Sequence, residues 1–177
     1  MNNNISLRPL KDNIKDYQNL YKWCQDKAVY TYFEQRKLSM QEIVTKYKTR
    51  TNPNTKTPVY IIEYQNIPIG LIQYTVISSS IKQKYHLPKE NTAYEIDIFI
   101  GESKYRNKGI GKIAIKSLIN ILASPKVIFV LVPEIKNKRA ISCYQKVGFT
   151  KTITYQDYDT LNKNIQDKVV MVYTIKE

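Results

Sequence analysis

Tyr94-Glu95-Ile96-Asp97-Ile98-Phe99-Ile100-Gly101, then Glu102-Ser103-Lys104-Tyr105, then Arg106-Asn107-Lys108-Gly109-Ile110-Gly111-Lys112: this run decides the fold. Its first segment alternates, is rich in β-branched residues and is closed by a glycine, which predicts a largely buried strand over 94–100. Its last segment puts two glycines ahead of Lys112-Ile113-Ala114-Ile115-Lys116-Ser117-Leu118-Ile119, a helix-like run. A strand feeding a glycine turn that opens a helix is an anion site, because glycine lets the backbone come close and the first helical N–H groups have no partner within the helix. The spacing excludes two common phosphate loops. No Gly-Lys-Ser/Thr follows a four-residue spacer, and Gly-x-Gly-x-x-Gly is missing. What remains is Arg-x-x-Gly-x-Gly, Arg106 to Gly111, directly after a strand.

A second block follows. Val127-Ile128-Phe129-Val130-Leu131-Val132 reads as another strand, and Asn137-Lys138-Arg139-Ala140 through Tyr144-Gln145-Lys146-Val147-Gly148-Phe149 gives the pattern Asn-x-x-Ala-x-x-x-Tyr-x-x-x-Gly-Phe. The first block resembles motif A of the GNAT acetyltransferases, the loop that holds the pyrophosphate of acetyl-CoA, and the second resembles their motif B.

The rest of the chain is consistent with that. At 177 residues it is one domain's worth, expected to span 1–177 without linker or repeat. Its apolar runs are too short to cross a bilayer, no signal peptide opens it, and Cys24 and Cys143 match no metal or redox spacing. The expectation is a cytoplasmic protein with reduced thiols, no metal and no membrane. The net charge of +13 invites a nucleic-acid reading. Its lysines are spread along the chain rather than clustered, which argues against that reading, whereas a polyanionic cofactor gains from the field.

In chain order, Ile5 to Leu10 reads as a strand. Ile14, Tyr17, Leu20, Tyr21, Trp23 and Cys24 give an amphipathic helix with Trp23 in the core, and a short segment spans Lys27 to Lys37. Ser39-Met40-Gln41-Glu42 is a capping box opening a helix that runs to about Arg50. Thr51 to Pro58 is a loop, Val59–Tyr64 and Ile69–Ile77 a hairpin, and Ser78 to Thr92 a polar loop holding His86, the only histidine. Thr150 to Tyr155 reads as a strand, Gln156 to Asp167 as a polar connection, and Val169 to Ile175 as the closing strand. This order matches the GNAT layout, an α/β (α+β) fold whose mixed central sheet is splayed between its fourth and fifth strands and flanked by helices.

A narrower likeness runs from about Ile5 to Tyr173. Tyr60 to Gly70, Tyr85-His86-Leu87-Pro88-Lys89, Asp97-Ile98-Phe99-Ile100-Gly101-Glu102 and Lys108-Gly109-Ile110-Gly111 resemble the aminoglycoside 6′-N-acetyltransferases. So do Arg139-Ala140-Ile141, Tyr144-Gln145-Lys146 and Gly148-Phe149. The resemblance implies acetyl-CoA held by Ile98, Phe99, Ile100, Arg106, Asn107, Lys108, Gly109, Ile110, Gly111, Lys112, Asn137, Ala140 and Tyr144. It implies Asp97 nearest the acceptor amine, as base or as positioner, and Tyr144 as proton donor to the departing thiolate. Glu95 shares the face of Asp97 by strand parity and is the rival base. Glu34, Tyr94, Glu95, Asp97, Asp157, Asp159 and Asp167 are the expected acceptor contacts. One departure stands out: many members carry Asp-Pro after the fifth strand, and here the pair is Val132-Pro133, followed by Glu134. The implied partner is a small-molecule amine, an aminoglycoside, met by a monomer or homodimer. The open alternatives are another amine (peptide N-terminus, polyamine) or a non-catalytic CoA- or nucleic-acid-binding protein.

Overall fold

The computed structural model describes residues 4–159 and 163–175. The elements run β1 (Ile5–Pro9), α1 (Ile14–Cys24), α2 (Lys27–Tyr30), α3 (Met40–Lys48), β2 (Val59–Tyr64), β3 (Ile67–Val76), α4 (Ser79–Lys84) and β4 (Thr92–Ile100). Then come α5 (Ile110–Leu122), β5 (Val127–Leu131), α6 (Lys138–Val147), β6 (Thr150–Asp159) and β7 (Asn164–Thr174). The strands form one sheet ordered β1-β2-β3-β4-β5-β7-β6. Only the β4–β5 pairing is parallel; every other neighbouring pair is antiparallel.

The two faces of β4 carry different cores. Ile96 faces α5 and α6 and packs with Ile72, Phe129, Ile115, Leu118 and Ile141. Phe99 faces α1 and α3, with Leu71, Leu20, Trp23, Ile43 and Tyr47. Each fully buried side chain of this size stabilises the fold by about 1.5–3 kcal/mol, so neither layer is dispensable. Local signals agree with the packing. Asn13 caps α1 by accepting from the Asp16 N–H, and the Ser39–Glu42 box at α3 is complete in both directions.

Gly101 ends β4 because nothing larger fits. A Cβ there would lie 2.2 Å from Cγ of Trp23, whose indole is held by an Nε1 hydrogen bond of 2.9 Å to Glu102. Gly101→Ala is expected to cost about 1–3 kcal/mol as an overpacked site, read as a lower urea midpoint. An unchanged midpoint would show that Trp23 yields at no cost.

Two segments differ from the sequence reading. The polar loop 78–92 contains α4, capped by the Ser78 side chain on the Ile81 N–H, and it seats Tyr85 and Leu87 in a third apolar cluster. The connection 156–167 is mostly strand: β6 continues to Asp159, β7 starts at Asn164, and 160–162 lie outside the described residues. Polarity hid both. The inward side of the hairpin carries Tyr155, Asp157, Gln166 and Lys168 because it lines a cavity that water reaches, so the alternation is present without an apolar face. Among the described residues, no helix is long and apolar enough to cross a membrane.

Candidate active site

β4 and β5 stay paired for four residues, from Thr92↔Val127 to Glu95↔Val130, and then part. The Gly101 N–H bonds to Ile69 on β3, and the Ala93 carbonyl accepts from Ile77. Backbone groups of odd-numbered β4 residues therefore point at β3, and those of Ile98 and Ile100, beyond the last β5 pair, point into the gap. The Ile100 carbonyl is taken by Arg106 Nε at 2.8 Å, which leaves the Ile98 amide and carbonyl and the Ile100 N–H facing the opening. A cavity of about 890 Å³ fills this gap and reaches both sheet faces.

One half of the cavity is walled by the glycine loop, α5 and α6. Gly109 precedes α5 in a left-handed conformation (φ 76°), and no side chain caps the helix. The N–H groups of Ile110, Gly111 and Lys112 thus have no partner within the helix. A Cβ on Gly109 would meet nothing within 4 Å, and one on Gly111 only Cys143 Sγ at 3.6 Å. This bare backbone beside open space fits a pyrophosphate. Asn107, Gly109, Ile110, Gly111 and Lys112 border the cavity, as do Asn137, Ala140 and Tyr144; Lys108 does not line it.

Arg106 borders the cavity too, but its guanidinium turns back, bonding the Gly101 carbonyl and Asp26, each at 2.6 Å. It fastens the loop to the strand end. Asn137 caps α6 by accepting from the Ala140 N–H at 3.2 Å. Phe99 packs edge-on to Phe33 and reaches the cavity from the opposite sheet face. Burial raises the Tyr144 phenol well above its ordinary value, so it stays protonated. Both cysteine thiols are raised by burial, Cys24 to about 12, as inert thiols should be.

The other half holds the carboxylates. Asp97 is reached from the cavity yet crowded by protein on its remaining sides, and this crowding lifts its carboxyl above the usual range. A hydrogen bond of 2.9 Å from Gln73 Nε2 opposes that rise. Glu95 lies on the same face; burial and the neighbouring Asp97 push it up to about 7. Tyr85 Oη donates to Glu95 at 3.3 Å and lies 3.4 Å from Tyr155 Oη. A carboxyl raised towards neutrality is matched to taking a proton at physiological pH.

The expected acceptor residues are not all brought together. Asp157 lines the cavity, but Lys168 holds it at 3.0 Å and Lys84 approaches at 3.7 Å, keeping its carboxyl below the usual range. Asp159 accepts from Gln166, which reaches the cavity wall. Asp167 has the opposite parity and bonds to Gln156 on the outer side. Tyr94 turns to the α5 face, against Tyr74 and Phe129. Glu34 is held by Lys46 at 2.5 Å and is not among the lining residues. Glu134 returns a carboxylate to the wall near Val132, nearly buried and paired with Lys136 at 2.7 Å. Gln73, Arg50, Lys84, Tyr85, Tyr155, Gln166 and Lys168 went unnoticed as site residues; each belongs through non-local contacts, and only the alternation in β6 and β7 gave a local signal.

A family model described as an acetyltransferase (GNAT) domain matches residues 12–156. The aminoglycoside N(6′)-acetyltransferase type 1 of Klebsiella pneumoniae is 24% identical over 162 residues, covering 88% of this chain and 80% of that protein. Two solved structures share the fold. Aminoglycoside acetyltransferase AAC(6′)-Ib in complex with coenzyme A and kanamycin gives a TM-score of 0.74 at 22% identity, over 96% of this chain and 94% of that one. RimL, a ribosomal L7/L12 α-N-protein acetyltransferase in complex with coenzyme A, gives 0.77 at 16%, over 97% and 94%.

Proposed function

We propose that this chain, which belongs to the GNAT acetyltransferase family and is an acetyl-CoA-dependent N-acetyltransferase, acetylates the 6′-amine of an aminoglycoside as a cytoplasmic resistance enzyme. The observation that carries this reading is the pair Glu95 and Asp97, two carboxyls side by side on the cavity wall where β4 leaves β5. The named relative supports the substrate class.

Acetyl-CoA supplies an activated acetyl thioester and a thiol leaving group. The chain's own groups do the rest. The bare N–H groups of 110–112 take the pyrophosphate, and Ile98 and Ile100 present a strand edge to the pantetheine arm, as to an added strand. The Ile98 N–H stabilises the developing oxyanion, worth about 3 kcal/mol by analogy with oxyanion holes. Asp97 orients the acceptor ammonium and accepts its proton, directly or through water, and Glu95 lies beside it. Tyr144 donates to the sulfur as the C–S bond breaks, and the proton that the nitrogen sheds on becoming an amide restores the phenol. Direct attack in one ternary complex needs no acetyl-enzyme.

A second reading, a GNAT acting on another amine such as a peptide N-terminus, is favoured by one observation. Asp157 and Glu134 are already paired with this protein's own lysines, so fewer carboxylates remain for a polycation. A thiol-release screen of kanamycin-type antibiotics beside polyamines and peptides tests the choice. The antibiotics are expected to give the highest kcat/KM; release with peptides alone would overturn the aminoglycoside reading in favour of the second.

A further inference from the structure

The carboxyl at the centre of the proposed chemistry is held from behind by two side chains outside the cavity lining. Gln73 sits directly opposite Asp97 in the β3–β4 register and is 6% exposed. Its Nε2 donates to Asp97 Oδ2 at 2.9 Å, and its Oε1 accepts from Arg50 Nη1 at 2.6 Å. An amide on its own can sit either way round. This one cannot, because a guanidinium only donates: the oxygen must face Arg50 and the NH₂ must face Asp97. Arg50 comes from the turn Thr49–Thr51 after α3, and its guanidinium rests over the Tyr47 ring, 5.2 Å from the centroid.

We propose that Arg50, acting through Gln73, is a positioning residue that fixes which oxygen of Asp97 meets the acceptor amine. The inference rests on acetyl transfer at Asp97 and is independent of which amine is accepted. With Oδ2 committed to Gln73, Oδ1 is the atom left for the ammonium. The groups that act on Asp97 come from every element around it. Gln73 on β3, Arg50 and the α3 residue Lys46 favour its charged form, while burial, Glu34 and its strand neighbour Glu95 oppose it. Tyr47 and Tyr144 also feel its charge, both with phenols raised by burial. Removing the Gln73 bond leaves burial less opposed, so the carboxyl moves further up.

The test is a ¹³C-carboxyl NMR titration of the full chain, with the Asp97 signal identified by its loss in Asp97→Asn; no acceptor is needed. Gln73→Leu is expected to raise the Asp97 midpoint by about one pH unit, the scale of one hydrogen bond to a charged group. Arg50→Met, which frees the amide to turn, should move it the same way by less. The double variant should fall short of the sum of the two single shifts, because only the direct charge of Arg50 on Asp97 survives the loss of Gln73. Arg50→Lys, which keeps that charge and a donor, should restore most of the shift. In turnover with any accepted amine, kcat should fall while the KM for acetyl-CoA holds. A purely structural role would lower the urea midpoint and leave the titration where it was. That result, or additive shifts from the two sites, overturns the proposal. A wild-type protein that releases no thiol with any amine would instead sink the acetyl-transfer reading, with the titration unaffected.

Discussion

Gly111→Leu loses acetyl-CoA binding and keeps its fold. The second half of that expectation makes the first informative. A Cβ at Gly111 meets only Cys143 Sγ, at an ordinary 3.6 Å, and leucine is a good helix former, so the protein has no internal reason to object. The extra side chain enters the cavity beside the three N–H groups proposed to hold the pyrophosphate, and the backbone can no longer approach an anion. Affinity measured by calorimetry should fall by about 100-fold or more, equivalent to about 2.7 kcal/mol. Gly109 is a poorer probe: its φ of 76° means any side chain adds strain to obstruction. Calorimetric affinity within about twofold of wild type for Gly111→Leu would remove the loop from the cofactor site and with it the account of donor binding.

Asp97→Asn should cut kcat by about 100-fold or more, the usual scale for an acid–base group, while acetyl-CoA affinity holds. Asparagine has nearly the same shape and can still accept from Gln73, so the change isolates charge and basicity. The pH profile gives the sign. Asp97 must be ionised to receive a proton, and burial lifts its carboxyl above the ordinary range. The wild-type rate should therefore rise with pH through a limb above ~3.9. That limb should vanish or change character in the variant. Glu95, held near 7, is the competing origin for it, and Glu95→Gln run in parallel separates the two. If Asp97→Asn keeps turnover within about threefold, Asp97 only lines the wall.

The loop and its strand were legible in the sequence because Arg106 to Gly111 is a local pattern and local patterns survive without coordinates. The use of Arg106 was not: nothing in the spacing says that its guanidinium folds back on Asp26, 80 residues away. The resemblance set Tyr94 beside Asp97 as an acceptor contact, but strand alternation separates the two, and the structure puts them on opposite faces. Asp157 and Asp167 would have separated in the same way had the hairpin been read as strands. Polarity on its inward side masked it. The fastening of Glu34 by Lys46 and of Asp97 by Gln73 and Arg50 depends on tertiary contacts 12 to 24 residues apart.

The parting of β4 from β5 has one more consequence. Most sheets close their hydrogen bonding at the centre and leave raggedness at the rim; here the seam is in the middle, four rungs long. With a pantetheine arm laid against Ile98 and Ile100, as proposed, the coenzyme would act as a removable rung with or without its acetyl group. The two halves of the molecule would be tied more firmly when it is bound than when the site is empty. Departure of the used coenzyme, not the transfer of the acetyl group, would then be the step that loosens the protein through its midline.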